Sequence, residues 1–231
     1  DRRDVSGRRT ALQFGAVLVG SAVAWRGKEA IARVAGLAGA GRRFTGSKQV
    51  GGAGNGFPVT SWVADDPDPI DVDAWRLPVA GEVVAPVTVD YEVLTAPVDA
   101  EGDGGTPSLA ADSLEATLDC TSGWYAERTW TGVRLGSLLD AAEPTEEAGW
   151  VRVRSVTGYR WSFPIAEANE MLLATHVDGE PLAHGHGAPV RLVAPGRRGF
   201  QWVKWIERIE VARHEDLSQW VAIFVSGFDE D

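Results

Sequence analysis

The sequence predicts an α+β fold with mixed sheets and a few short helices. Three observations carry that expectation. Segments with strand-like alternation outnumber helical ones, their order never settles into a βαβ repeat, and Pro, Gly and Asp recur often enough to keep helices short. A chain of 231 residues, 44% hydrophobic and with ten tryptophans, can fill the core of one large domain.

The elements follow in order. Residues 1–43 form a basic and apolar head: Arg8 and Arg9 precede a mostly apolar run, then Ala22-Val23-Ala24, then Arg26 and Lys28. Twin arginines, an apolar stretch and a small-residue end resemble an export signal of the twin-arginine type. The alternative is an amphipathic or buried helix, since the run is short of the roughly 20 residues a membrane span needs. Residues 44–213 are the expected globular domain and 214–231 an acidic tail. Phe44 to Asn55 reads as an extended lead-in loop, and TSWVADDPDPIDVDAW as turns. WRLPVAGEVVAPVTVDYEVL should give two short strands around Gly81 and a helical turn near Tyr91 to Leu94. AEGDGGTPS is a loop.

SLEATLDC alternates with Leu114, Ala116 and Leu118 on one face and reads as a strand. A Gly- and Trp-rich loop from Cys120 then leads to a helix in GVRLGSLLDAA, on the spacing of Val133, Leu135, Leu138 and Leu139. VRVRSV is a strand with its arginines on one side. FPIAEANEMLLATHVDGEPL suggests a short helix, a strand over Leu172 to His176 and a tight turn at Asp178-Gly179. PVRLVAPG is another strand, and WVKWIERIEVAR a last long one.

Charge is unevenly divided. Residues 1–48 carry a balance of +7 and residues 49–231 a balance of −18. The acidic part would repel phosphate backbones, which argues against nucleic acid as a partner. Three lysines beside nineteen arginines, with so many carboxylates, suggest a high-salt or high-GC source.

Cys120 is the one cysteine, so no internal disulfide exists. Three roles compete for it: an apolar filler, a nucleophile paired with one of four histidines, or a thiolate ligand to a metal. One thiolate with His184 and His186 could nominally build a zinc site, but the spacing is loose and a fourth ligand is not evident. A metal that arrives already held by an organic cofactor needs only one protein ligand.

Four segments, in order, carry a resemblance to a known family. They are NGFPVTSW, WRLPVAGEVVAPVTVDYEVL, LDCTSGWYAERTWTGVRLGSLL and HGAPVRLVAPGRRGFQWVKWIERIEV. Together they resemble the oxidoreductase molybdopterin-binding domain of the sulfite oxidase superfamily, from about Phe44 to Arg213. The resemblance implies a sulfite-oxidase-type fold, a molybdopterin cofactor and Cys120 as the protein ligand to molybdenum. It implies further that Asn55, Pro58 and Val59 line the pterin and that Ser155, or Thr157 nearby, contacts the cofactor. Arg191 and Lys204, with the backbone of Trp202 and Val203, would hold the pterin and its terminal phosphate. His186 stands where bacterial relatives carry an asparagine, and it keeps a side chain able to hydrogen-bond.

The implied reaction is two-electron oxo transfer on a small-molecule substrate. Sulfite-oxidising relatives follow the cysteine closely with arginines, whereas this chain has Thr121, Ser122, Gly123, Trp124 and Tyr125. An uncharged pocket walled by Trp124, Tyr125 and Trp130 fits a sulfoxide, as in bacterial methionine-sulfoxide reductase catalytic subunits. Arg128, Arg160, Arg197 and Arg198 keep sulfite oxidation as the alternative. A cofactor-free binding module and a Cys/His thiol hydrolase are the non-redox alternatives. No C-x-x-C-H haem motif occurs, so a separate electron-transfer partner is expected, with a membrane haem protein the natural candidate. A monomer is expected, in an extracytoplasmic, exported or membrane-associated setting.

Overall fold

A computed structural model of the chain describes scattered positions between residues 15 and 35, then 43–61, 65–95 and 111–225, with side chains as far as 222. The twin arginines, residues 96–110 with the expected AEGDGGTPS loop, and the last acidic residues lie outside the described residues. The chain divides into two compact units, Asp1–Gln49 and Val50–Asp231. In the first, described positions between 15 and 34 are helical and β1 is Lys48–Gln49. Among the described residues no helix is long and apolar enough to cross a membrane.

The second unit holds β2 (Arg76–Gly81), β3 (Val87–Asp90), α1 (Tyr91–Thr95), β4 (Ala111–Asp119), β5 (Trp124–Arg134) and α2 (Leu135–Ala142). It continues with β6 (Trp150–Ser155), β7 (Arg160–Pro164), α3 (Ile165–Ala168), β8 (Leu172–Val177), β9 (Glu180–Pro181), β10 (Arg191–Val193), β11 (Ile206–Ala212) and α4 (Gln219–Val225). One sheet runs β4-β5-β8-β10, with β9 folded back on β8. The other is five-stranded in the order β3-β2-β11-β6-β7 and mixed, because β2 and β11 run parallel. Mixed sheets with short helices are the α+β architecture expected from the sequence.

Alternation explains the second sheet. Val151, Val153 and Ser155 of β6 are buried while Arg152 and Arg154 point the other way and pair with Glu210 and Glu207. The β8–β9 hairpin closes at Asp178 and Gly179, both with positive φ (48° and 82°), as a two-residue Asp-Gly turn should.

Three local expectations need correction. The Gly- and Trp-rich run after Cys120 is a loop only over residues 120–123; Trp124–Arg134 is an eleven-residue strand, paired with β4 from Tyr125 to Val133. Its Trp, Tyr and Thr side chains suit a half-buried pleated surface, and that preference wins over the flanking glycines. The helix accordingly starts at Leu135, with Val133 still in strand register opposite Leu173. The last strand begins only at Ile206: Trp205 has φ 51°, a left-handed conformation no strand accommodates, so Lys204 lies in the loop before it.

Candidate functional site

Cys120 directly follows β4 and starts a tight connection. Its N–H donates to the Trp124 carbonyl at 2.9 Å, and its sulfur accepts the Ser122 N–H at 3.5 Å. This fold-back buries the thiol (7% exposed) and sets it on the wall shared by two adjoining chambers. Gly199 crosses directly behind: a Cβ there would stand 3.1 Å from the Cys120 Cα and 3.2 Å from the Asp119 carbonyl oxygen. A side chain there would crowd the two backbones by a few tenths of an ångström, and glycine avoids this.

The smaller chamber, about 50 Å³, is lined by Phe57, Pro58, Trp124, His186 and Arg191, among others. The Arg191 guanidinium is buried at 3% exposure and lies over the rings of Trp130 (5.0 Å) and Trp202 (5.7 Å). One of its terminal nitrogens donates to the His186 carbonyl at 3.0 Å, while its Nε has no partner. Burial pushes its pKa down, and only the nearby Cys120 works the other way. A guanidinium stays charged even so. The indole N–H of Trp124 is buried without a partner too. Two unsatisfied buried donors in one small chamber call for an acceptor-rich anionic group.

His186 stacks on Phe57 at 4.0 Å and its Nε2 lies 3.0 Å from the Asn55 carbonyl oxygen. A carbonyl can only accept, so Nε2 carries the proton and Nδ1 keeps a lone pair. Burial, with Arg191 and Lys204 nearby, pushes the His186 pKa down to about 4.

The larger chamber, about 420 Å³, is lined by Thr60, Ser61, Asp65, Cys120, Thr121, Tyr159, Gly199, Phe200, Trp202, Lys204 and Trp220. Lys204 Nζ donates to Ser61 Oγ (2.7 Å) and to the Gly185 carbonyl (2.9 Å), and sits 4.1 Å over the Trp205 ring. Burial and Arg191 push its pKa down to about 8, opposed by Asp65, Asp66 and Cys120. Asp65 is raised above the ordinary carboxylate range by burial, which outweighs its Thr157 hydrogen bond and Lys204, and one of its oxygens is unpartnered.

Of the residues named from the sequence, Cys120, Pro58, Trp124, His186, Arg191, Trp202 and Lys204 therefore converge on the two chambers. The others sit elsewhere. The Asn55 side chain is spent on the Pro181 carbonyl and the Ala183 N–H, fixing its loop to the β8–β9 hairpin. Val59 is exposed beside Gly185, and Ser155 is buried as acceptor for Thr157. Val203 is buried with its carbonyl on the Leu192 N–H, and Tyr125 and Trp130 line neither chamber. Sequence reading missed Asp65, Tyr159, Phe200 and Trp220, which come from turns and from the segment taken as a tail.

The alternatives for Cys120 divide on this geometry. No hydrogen bond joins Cys120 to a histidine among the described residues; His186 and His184 are held by the Asn55 and Pro67 carbonyls. Nor do three His, Cys, Asp or Glu residues gather as a metal site among the described residues. A metal held by this sulfur would have to bring its other ligands.

A buried thiol between two chambers, with Arg191 buried and Lys204 half-buried beside it, offers a ligand one sulfur donor and two cations. The chain belongs to the oxidoreductase molybdopterin-binding domain family, whose model matches residues 64–220. The family is that of the molybdopterin-binding domain of oxidoreductases, so its cofactor is molybdopterin. It is 29% identical to the protein-methionine-sulfoxide reductase catalytic subunit of Gluconobacter oxydans, over 73% of this chain and 55% of that protein. It is 30% identical to the subunit of the same description from Xanthomonas campestris pv. campestris, over 65% of this chain and 49% of that one. The chain thus spans about half the length of these relatives. Its fold is shared by the sulfane dehydrogenase SoxCD of Paracoccus pantotrophus, at a TM-score of 0.57 and 23% identity, over 65% of this chain and 41% of that one.

Proposed function

We propose that the chain holds molybdopterin with Cys120 as the protein ligand to molybdenum and reduces a sulfoxide-type substrate. The observation that carries this reading is the pairing of one buried thiol with Arg191, a buried cation whose Nε has no partner, in the same chamber. A thiolate is a soft ligand suited to a centre already bound by dithiolene sulfurs. Arg191 supplies a fork for a phosphate and Lys204 a point charge. When bound, the cofactor supplies two-electron oxo transfer.

What the chain's own residues do follows from their contacts. Arg191 and Lys204 bind the anionic cofactor, Gly199 leaves the sulfur room to face it, and the aromatic walls exclude water. Reduction of a sulfoxide consumes two electrons and two protons and releases a thioether and water. The electrons come from a separate carrier, for which we propose a membrane haem protein, and the setting is extracytoplasmic.

The substrate preference rests on charge. Arg128, Arg160 and Arg197 are engaged by Asp178, Asp216 and Glu167 and line neither chamber. Arg198 supports the second reading, sulfite oxidation: its guanidinium reaches the Cys120 carbonyl at 3.4 Å, although it also pairs with Asp119 at 3.6 Å.

Elemental analysis of wild type beside Cys120→Ser tests the metal assignment. About one molybdenum per chain is expected in wild type, with an altered or lost redox signal in the variant. Wild type from a cofactor-competent host that carries no molybdenum overturns the proposal. Sulfite turnover without sulfoxide reduction, measured with an artificial electron carrier, would reverse the substrate preference.

A further inference from the structure

The segment after β11 packs back on the sheet with more contacts than a tail needs. β7 is an edge strand of the five-stranded sheet, and the Ser162 N–H on it donates to the Gln219 side-chain oxygen at 2.7 Å. Gln219 is buried (1% exposed) and its amide donates to Glu215 at 2.7 Å. Arg160 binds Asp216 and Ser218, both at 2.8 Å, and Ala222 is buried. These contacts cover the sheet edge and fix the start of α4.

Trp220 is the exception within that segment. Its ring packs edge-on against Trp161 (centroids 4.8 Å apart), which meets Phe200 the same way at 5.1 Å. Yet 53% of Trp220 is exposed and it lines the large chamber with Phe200 and Tyr159. The Tyr159 hydroxyl donates to the Phe200 carbonyl, which fixes this wall. A large ring held firmly but left half uncovered has a face to offer.

We propose that Trp220 is a cofactor-retaining wall: α4 presents its ring to the conjugated ring system of the pterin in the large chamber. The inference rests on the cofactor reading above and goes beyond it, because the resemblance and the sequence assign the pterin to other residues. The chamber, at about 420 Å³, is of cofactor size. Its polar groups suit the edge of a heteroaromatic ring: the unpartnered Asp65 oxygen accepts, Lys204 donates, and Thr60 and Ser61 do either. A small sulfoxide, which offers an acceptor oxygen and no donor, would leave the Asp65 oxygen unmatched. Aromatic walls on one side and polar groups at the edge is the arrangement a fused heterocycle requires.

The test uses the molybdenum-loaded protein and Trp220→Ala, Trp220→Leu and Trp220→Phe. Cofactor release on dilution is followed by the fluorescence of the freed, oxidised pterin, with molybdenum per chain measured at the start. Melting of the cofactor-free forms checks folding. Release from the Ala and Leu variants is expected to be about three- to ten-fold faster, the size of one lost ring contact, and Phe is expected to restore slow release. If Ala fails to fold, the Leu and Phe pair decides, since both keep apolar volume and only one keeps a ring. Equal release from Leu, Phe and wild type overturns the proposal. So does unchanged release with a raised KM, which would assign the ring to substrate. A wild type that carries neither molybdenum nor pterin overturns the cofactor reading itself, an outcome distinct from both.

Discussion

His186 shows how one residue's surroundings set its chemistry. Its ring is stacked on Phe57, bonded to the Asn55 carbonyl and buried, so the neutral form is the folded form. The folded-state pKa, about 4, lies below the ordinary histidine value of 6.5. Between those values the unfolded chain binds the proton and the folded one does not. The stability this residue contributes is therefore present above pH 6.5 and lost as pH falls towards 4. Replacing it with the asparagine that bacterial relatives carry should flatten the acid limb of the cofactor-free protein over that window. Urea midpoints at several pH values check this, and an unchanged acid limb would show that the imidazole does not titrate there. Residue-scale legibility followed the same logic. Cys120, Arg191, Lys204 and His186 stand inside local motifs and were named from sequence. Asp65, Tyr159 and Trp220 reach the chambers through contacts between distant segments, and no local pattern marks them.

At the scale of elements, the β4–β5 hairpin aims the thiol and β5 anchors the hairpin. Trp130 and Val133 of β5 are fully buried, and β5 pairs with β8 through an irregularity between Thr131 and Gly132. Gly132 is required there: a Cβ would stand 2.0 Å from the Leu173 carbonyl oxygen and 2.8 Å from the Ala174 Cα, both backbone. Gly132→Ala must push β5 away from β8 and should cost about 2 kcal/mol or more in stability. A shifted urea midpoint, with the slope unchanged, measures it; an unshifted midpoint would mean the two strands separate without cost. The sequence hid this strand because glycines at 123 and 132 punctuate it and read as loop signals. It overextended the last strand because the left-handed Trp205 is not visible in a Trp-Val-Lys-Trp run. Regular alternation, as in β6, was legible; backbone exceptions set by tertiary packing were not.

Across the whole second unit, the chambers draw walls from both sheets. Cys120, Trp124 and Arg191 belong to strands or strand ends of the β4-β5-β8-β10 sheet, whereas Tyr159 and Trp220 come from the turn and the edge of the five-stranded one. A ligand filling both chambers touches both sheets at once and satisfies buried groups that the protein leaves unpartnered, Arg191 Nε and the Asp65 oxygen among them. It binds the folded state only, because unfolding scatters these residues along the chain. Cofactor in thousand-fold excess over its Kd would then add about 4 kcal/mol to stability. For a unit of this size each kcal/mol raises the Tm by about 2–4 °C, so loaded protein should melt roughly 8–16 °C above cofactor-free protein. Differential scanning calorimetry of the two forms checks the shift. Cys120→Ser should remove only part of it, because the phosphate and pterin contacts proposed for Arg191, Lys204 and Trp220 would remain. A Cys120→Ser protein that loses the whole shift would mean that the metal–sulfur bond alone ties the cofactor to the fold. A loaded wild type that melts no higher than the empty chain would mean that the cofactor does not join the two sheets.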